Sequence, residues 1–283
     1  MSSPSAGLSP SDDSWVPKSV DVDSPSAARV YDYFLGGGYN FAVDRSFGES
    51  ALRIVPELRD IARANREFLY RAVRTLADQG IDQFLDIGCG LPTTRAVHQI
   101  ALERNPETRT VYVDNEGVAV AHGELMLQNV PQADIFIGDL TAPQSILDHP
   151  HVQGLLATGK PTAVLTVAVM HFILDEDRPV DLLTRLLTPF PAGSYFVFSH
   201  GTADSADEMS ALEKLYNDDN QNNGITRTWA QLSTMLAAVP RLELIEPGLV
   251  WNAQWRPARD SDLPKLLEHP EGSSCYAAVG VLR

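Results

Sequence analysis

Five short apolar segments between residues 83 and 200 are separated by stretches with helical spacing, and this alternation limits the possible folds more than any other feature. None of the five alternates apolar with polar residues, which is typical of strands buried on both faces. Strands separated by helices favour a parallel sheet, and right-handed crossovers then produce a doubly wound α/β fold with helices on both faces. The segments are QFLDIG (83–88), TVYVDN (110–115), ADIFIGDL (133–140), TAVLTVAV (162–169) and SYFVFSH (194–200).

The stretches around these segments predict the helices. Apolar residues recur at three- and four-residue steps over residues 57–79, and Gly80 follows as a C-terminal stop. Shorter helices are predicted from a cap at Thr93 or Thr94 to about Arg104, over residues 116–128 and over residues 179–190.

The C-terminal part of the chain departs from the alternation. Residues 241–255 and 275–283 are two strand-like pieces without a clear helix between them. They predict an antiparallel strand pair at one edge, so the expected sheet has seven strands and is mostly parallel.

Composition divides the chain into three parts. Residues 1–26 are rich in Ser, Pro and Asp and predict a disordered tail. Residues 27–80 mix aromatic side chains, a triple glycine and the long helix, which predicts an N-terminal helical cap. The remaining residues, 81–283, are expected to form the ligand-binding α/β domain.

Charge and cysteine content exclude several classes of function. The net charge of −15 disfavours nucleic acid as a partner, because phosphate binding needs clustered Lys and Arg. The two cysteines are far apart and the N-terminus has no apolar signal segment, so a cytoplasmic location is expected. The longest apolar run is too short to span a membrane, and His149 and His151 lack further ligand-like partners for a metal.

Acidic residues stand at the ends of the first three predicted strands. They are Asp86, Asp114 and Asp139, and Gly88 and Gly90 follow the first of them. Ligands of open α/β sheets bind at the carboxyl ends of the strands, where glycine lets the backbone approach the ligand closely. The N-terminus of the following helix offers free N–H groups as well.

Two classes of ligand compete for this site. A nicotinamide dinucleotide favours G-x-G-x-x-G, but the third glycine position holds Thr93, and Asp86 would repel a pyrophosphate. S-adenosylmethionine fits better, because its cationic amino and sulfonium groups favour Asp86. Its ribose hydroxyls suit Asp114, and its adenine amine suits an acceptor at Asp139 beside Leu140.

At this point the chain resembles the class I S-adenosylmethionine-dependent methyltransferases. The motifs ARVYDYFLGGGYNFAVDR, QFLDIGCGLPT, VYVDN, GDL and VMHFILDED together are similar to an actinobacterial S-adenosyl methyltransferase family of unknown substrate, over roughly residues 25 to 283. The resemblance implies that Asp86, Gly88 and Gly90 line the methionine end, that Asp114 holds the ribose, and that Asp139 and Leu140 hold the adenine. Pro92 stands where many methyltransferases have a third glycine.

The candidate site residues fall into three groups. Cys89 is interpreted as a small filler between glycines rather than a nucleophile, and His171 is the candidate general base. The candidate substrate or lid residues are Tyr33, Asn40, Asp44, Arg45 and His200. The candidate cofactor contacts are Asp86, Gly88, Cys89, Gly90, Asp114, Asn115, Gly138, Asp139, Leu140 and Ala168.

The predicted function is methyl transfer from S-adenosylmethionine to an unidentified, small-molecule acceptor, with no metal and no membrane partner. The segment after the fourth strand reads VAVMHF rather than Asn-Pro-Pro-Tyr, which disfavours methylation of nucleic-acid bases. A non-catalytic S-adenosylmethionine sensor and a nicotinamide-dependent oxidoreductase are the alternatives. The sequence leaves the oligomeric state open, and a homodimer is one option.

Overall fold

An eight-stranded sheet forms the centre of the computed structural model, which describes residues 21–91, 95–218, 223–257 and 263–283. The strands run in the order β3-β2-β1-β4-β5-β8-β6, and β7 also pairs with β8. Their bounds are β1 Gln83–Ile87, β2 Arg109–Asp114, β3 Ala133–Ile137, β4 Ala163–Val167, β5 Tyr195–Gly201, β6 Leu242–Leu244, β7 Val250–Trp251 and β8 Cys275–Leu282.

The first five strands are parallel, so their carboxyl ends share one edge of the sheet. Strand β1 lies between β2 and β4, with Asp86 opposite both Tyr112 and Leu165. Strand β8 runs antiparallel to β5. The predicted doubly wound α/β class with its antiparallel C-terminal strands is therefore confirmed.

The expected count of seven strands was too low by one. Residues 241–255 form two short strands, β6 and β7, that pair with different parts of β8. Gly248, with φ at +83°, lies in the turn between them. A turn inside the segment accounts for the extra strand.

Eleven α-helices lie within the described residues. Each helix predicted between residues 57 and 190 is present, although most are shorter than expected, and the predicted caps Thr93 and Thr94 lie outside the described residues. The bounds are α1 Ala27–Phe34, α2 Ala42–Ile54, α3 Leu58–Asp78, α4 Val97–Leu102, α5 Gly117–Leu127, α6 Pro143–Leu147, α7 Pro150–Ala157, α8 Pro179–Leu187, α9 Glu208–Asp218, α10 Trp229–Ala237 and α11 Pro264–Glu268.

Helices cover both faces of the sheet. Leu85 and Ile87 of β1 face a core formed with α6, α7, α8 and α10. Phe84 faces the opposite core, to which α3 and α4 contribute. Because side chains of a strand alternate between faces, Asp86 points to the same side as Phe84, toward α3.

The N-terminal segment is divided between two cores. Helix α3, predicted as part of the cap, packs on the sheet through side chains that include Phe68 and Leu76. Helices α1 and α2 instead share a separate apolar cluster with α9, to which Val30, Phe34 and Met209 belong. The domain boundary at residue 80 stays a prediction, although the sheet and α3 have one core.

The first described residues are attached to α1 and α2. The Ser26 amide donates a hydrogen bond to Asp44 Oδ1 at 3.0 Å, and the Ser24 carbonyl accepts one from Arg29 at 2.6 Å. The tail boundary at residue 26 stays a prediction. Each helix in the described parts of the chain is too short or too polar to cross a membrane.

Candidate functional site

A turn with two left-handed glycines follows β1. Gly88 has φ +68° and Gly90 has φ +66°. The Gly88 and Cys89 amides both donate to the Val113 carbonyl, at 2.7 and 3.2 Å, which ties the turn to β2. A Cβ atom at position 88 would lie 2.2 Å from Val169 Cγ2, so the approach of the β4 tip requires glycine there.

Asp114, the last residue of β2, shapes this turn. Its Oδ2 accepts the Gly90 amide at 2.7 Å and its Oδ1 accepts the Glu116 amide at 2.9 Å. Burial raises the pKa of its carboxyl. Each carboxylate oxygen retains a second lone pair, so a ligand hydroxyl can still be bound.

Asp86 is the most perturbed acid of the site. Its side chain is buried on the α3 side of β1, and burial raises its pKa to about 7. The Arg66 guanidinium of α3 opposes this rise and the Asp114 carboxylate adds to it. A cation placed beside Asp86 would favour its ionised form.

A pocket lies between α1, α3 and the glycine turn. Its empty volume is about 230 Å³. Burial raises the pKa of the Cys89 thiol well above its usual value, which agrees with a filler rather than a nucleophile. The lining residues are Ala28, Tyr31, Asp32, Leu35, Arg66, Cys89, Gly90 and Leu91.

The tip of β3 lies beside the tip of β2. Asp114 pairs in register with Ile137, so Asp139 follows two residues beyond the end of the strands. Asp139 is exposed and its Oδ1 accepts the Thr141 amide at 2.8 Å.

The neighbours of these two acids differ in exposure. Leu140 is buried, whereas Asn115 is exposed. A Cβ at Gly138 would lie 2.7 Å from Val113 Cγ1, so this glycine is required by packing. The structure thus brings the three predicted acids together at adjacent strand tips.

The tip of β4 forms the other side of the turn. Ala168 has φ +59°, which is unusual for a residue with a side chain, and its amide donates to Ser199 Oγ at 2.9 Å. His171 follows in a short 3₁₀ helix. Burial and nearby Arg227 lower its pKa to about 4, and its Nδ1 is buried without a hydrogen-bond partner among the described residues.

His200 has a different environment from the one predicted. It is fully buried, so in this conformation it has no surface to offer a substrate. Its Nδ1 donates to the Gly201 carbonyl at 2.7 Å, and its Nε2 accepts from Arg227 at 3.0 Å. Arg227, which sequence reasoning missed, also binds Asp175 at 2.6 Å and the Ile173 carbonyl at 2.9 Å.

The predicted lid residues bind mainly to their own segment. Asp44 is fully buried and pairs with Arg29 at 2.8 Å, so it lies in a structural ion pair. Asn40 bridges Asp32 and Arg45. Its Nδ2 donates to Asp32 Oδ2 at 2.8 Å, and its backbone carbonyl accepts from Arg45 Nη1 at 2.7 Å.

Two members of this segment face other elements. The ring of Tyr33 lies under the Arg59 guanidinium at 4.9 Å, which places it between α1 and α3. Arg29 also reaches Glu116, the N-cap of α5, at 3.2 Å, which ties α1 to the β2–α5 junction. Sequence reasoning missed both members of this second pair.

Comparison with known families decides the wider identity. The model of a family described as S-adenosyl methyltransferase matches residues 13–283. The chain belongs to the S-adenosyl methyltransferase family. It is therefore an S-adenosylmethionine-dependent methyltransferase, and the nicotinamide-dependent alternative was wrong.

Two solved structures resemble this methyltransferase over nearly their whole length. A candidate methyltransferase from Thermobifida fusca YX has 32% identity and a TM-score of 0.86, with 95% of this chain and 99% of that chain covered. A DUF574 family protein from Streptomyces avermitilis MA-4680 has 36% identity and a TM-score of 0.86, with 93% and 99% covered. No curated protein matches the chain.

A more distant methyltransferase shares the fold alone. The plantazolicin methyltransferase, solved in complex with a triazolic desmethylPZN analogue and S-adenosylhomocysteine, has 12% identity and a TM-score of 0.52, with 90% of this chain and 95% of that chain covered. In the described part of the present chain, no cluster of His, Cys, Asp and Glu is arranged to hold a metal ion.

Proposed function

We propose that this methyltransferase binds S-adenosylmethionine across the tips of β1, β2 and β3 and methylates a small-molecule acceptor. The observation that carries the proposal is the convergence of Asp86, Asp114 and Asp139 beside the glycine turn. Asp86 is a buried carboxyl whose ionised form a cation would stabilise, so the residues present fit the cofactor's positive end.

We assign the parts of the cofactor to site residues by the burial of those residues and by their free hydrogen-bond acceptors. Asp86, Gly88 and Gly90 would hold the methionine end, close to the pocket under α1. Asp114 would accept the ribose hydroxyls, and Asp139 with Leu140 would hold the adenine. The pocket is lined by Cys89 and Gly90 of the glycine turn, which places it at one end of the proposed cofactor site.

The chain contributes mainly by binding and orientation. When bound, the cofactor supplies an electrophilic methyl group. Holding two reactants in line lowers the activation barrier by about 7–11 kcal/mol in favourable cases, so the reaction needs little covalent catalysis from the chain. His171 is neutral at pH 7 and is the candidate general base for an oxygen or nitrogen acceptor.

Charge and aromatic packing favour a small molecule as the acceptor. The net charge of −15 opposes nucleic acid. Near His171, the rings of Phe172 and Tyr216 lie 6.2 Å apart and Tyr216 packs on Phe47 at 4.9 Å, so apolar surface adjoins the candidate base. Both cysteines are free, which fits the cytoplasmic location expected from the sequence.

Calorimetric titration with S-adenosylmethionine and S-adenosylhomocysteine tests the cofactor site. Asp114→Ala is expected to weaken both by about ten- to a hundredfold, since hydrogen bonds to a charged group contribute about 1.5–3 kcal/mol. Asp148→Ala is the matched control, because Asp148 is an exposed acid bonded to Gln144 on α6. Equal affinity of wild type and Asp114→Ala would remove the ribose assignment.

Transfer of a labelled methyl group into fractionated small molecules and macromolecules tests the acceptor. Label in the small-molecule fraction is expected. Label confined to protein or nucleic acid would contradict a small acceptor. Tight cofactor binding without any labelled product would instead favour the sensor.

A further inference from the structure

A continuous chain of hydrogen bonds links the tip of β4 to helix α1 through the core. The Ala168 amide donates to Ser199 Oγ at 2.9 Å, and Ser199 Oγ donates to Asn65 Oδ1 at 2.7 Å. Asn65 Nδ2 donates to the Tyr31 hydroxyl at 3.1 Å, which donates to the Ala62 carbonyl at 3.1 Å.

Every hydrogen bond in this series can be assigned a donor and an acceptor without conflict. Ser199 accepts from an amide, so its single proton is available for Asn65. Asn65 uses its oxygen toward the sheet and its nitrogen toward α1, which also fixes the orientation of its amide. Asn65 is 4% exposed and Ser199 is fully buried, so water does not replace these bonds.

The sheet end of the chain holds an unfavourable backbone conformation. Ala168 lies in the left-handed region with φ +59°, and its amide is bonded to Ser199. The next residue, Val169, packs directly against Gly88 of the glycine turn. The position of the turn therefore depends on the conformation that Ser199 holds.

The other end of the hydrogen-bond chain reaches the same site from the side of α1. Tyr31 lines the pocket together with Arg66, Cys89 and Gly90. Asn65 thus lies between two walls of the site, the β4 tip and α1, and bonds to both through one intermediate side chain each.

We propose that Asn65 is a positioning residue for cofactor binding, which holds the β4 tip and α1 at a fixed separation through Ser199 and Tyr31. This inference rests on the proposed function of the same site. It differs from a purely structural role because a change at buried Ser199, away from the pocket lining, would alter affinity for the cofactor.

The chain supplies a matched control for Ser199. Ser194 is equally buried, and its Oγ accepts the Thr162 amide at 3.1 Å. This bond joins the same two strands at the opposite, amino end of the sheet. Ser194→Ala and Ser199→Ala therefore remove the same kind of bond, but only one of them belongs to the Asn65 chain.

The experiment measures S-adenosylhomocysteine affinity by calorimetry and stability by urea unfolding. Ser199→Ala and Tyr31→Phe are each expected to weaken binding roughly three- to tenfold, in conditions where both variants are folded. Ser194→Ala is expected to lose similar stability without a change in affinity. Equal effects of Ser194→Ala and Ser199→Ala on affinity would overturn the positioning role.

The double variant Tyr31→Phe/Ser199→Ala tests the coupling through Asn65. Its loss of affinity is expected to be smaller than the product of the two single losses, because breaking either bond releases the same amide. A loss equal to the product would contradict the link. A wild-type protein that does not bind the probe overturns the proposed function together with this inference, whereas wild-type binding with unchanged variants overturns the inference alone.

Discussion

Asp114 at the end of β2 accepts the Gly90 amide of the turn after β1, with its Oδ2 2.7 Å from the amide nitrogen. The same carboxylate accepts the Glu116 amide at 2.9 Å through Oδ1. One acid therefore connects two neighbouring strand tips before any ligand arrives. The candidate ribose acceptor is also the residue that fixes the turn around the methionine end.

Replacing Asp114 by Asn separates the two roles of the carboxylate. The amide has one oxygen for two backbone N–H donors, so one donor is left unsatisfied in a buried place. We expect Asp114→Asn to lower the free energy of unfolding by about 1–3 kcal/mol in urea titrations.

Asp139→Asn is the comparison for this change. Asp139 accepts a single local amide, from Thr141, which an asparagine oxygen can accept as well. We expect a change within about 0.5 kcal/mol. Equal stability of wild type and Asp114→Asn would show that the acid does not hold the turn.

Substitution by alanine is expected to cost more stability at Gly88 than at Gly90. At Gly88 a Cβ would meet Val169 at 2.2 Å in addition to the left-handed φ. At Gly90, leaving out the glycine itself and its two chain neighbours, no atom of the described residues lies within 4 Å of the added carbon. We expect Gly88→Ala to cost about 2–5 kcal/mol and Gly90→Ala about 1–2 kcal/mol in urea unfolding.

A second substitution isolates the contact at Gly88. Val169→Ala removes the methyl groups that the new Cβ would meet, so Gly88→Ala/Val169→Ala is expected to recover part of the lost stability. Equal costs at both glycines, unaffected by Val169→Ala, would mean that the turn and the β4 tip do not touch.

The sequence predicted the parts of the fold that local patterns control. Uninterrupted apolar runs identified the five parallel strands, and the acids at strand ends identified one edge of the sheet. The turn at Gly248 was missed because it divides a segment whose apolar pattern reads as one strand.

The missed residues of the site depend on contacts between distant segments. Arg29 pairs with Glu116 across 87 positions of sequence, and no local pattern predicts that contact. Asn65 carried a signal that could have been used. It lies three and four residues from Phe68 and Leu69, on the apolar stripe of α3, where a buried amide needs specific partners.

The buried Arg29 gives a test of how α1 is attached. Arg29 is 1% exposed and pairs with Asp44, which is fully buried. Removal of one partner from a buried ion pair costs about 3–5 kcal/mol, because the other charge stays uncompensated. We expect Arg29→Ala to lose stability in that range, measured by urea unfolding.

Arg45→Ala is the control for the arginine substitution. Arg45 is exposed, and its guanidinium bonds to the carbonyl and side-chain oxygens of Asn40. A change within about 0.5 kcal/mol is expected. Similar stabilities for the two variants would argue that the Arg29 pair contributes nothing to the fold.

Asp86 makes the stability of the ligand-free protein depend on pH. Its pKa is about 7 in the folded chain against a usual 3.8, so the folded state binds the proton more tightly than the unfolded state. Stability contributed by this group is therefore greatest at low pH and falls as pH rises from about 4 to about 7. Asp86→Asn should remove this part of the slope in urea titrations at a series of pH values.

Cofactor binding should show the opposite dependence on pH. The cationic amino group of S-adenosylhomocysteine favours ionised Asp86, whose pKa is about 7 before binding. We expect affinity about tenfold weaker at pH 6 than at pH 8, with nearly one proton released on binding at pH 6. Calorimetry in two buffers of different ionisation enthalpy measures that proton.

The groups around Asp86 decide whether the proton released on cofactor binding comes from its carboxyl. Arg66 favours the ionised acid and Asp114 opposes it, while burial raises the pKa of the Cys89 and Tyr112 side chains and keeps both neutral in this range. Burial also raises the pKa of Asp114, so Asp86→Asn is the decisive variant. It should bind more weakly and release no proton at pH 6; proton release equal to wild type would assign the linkage to Asp114.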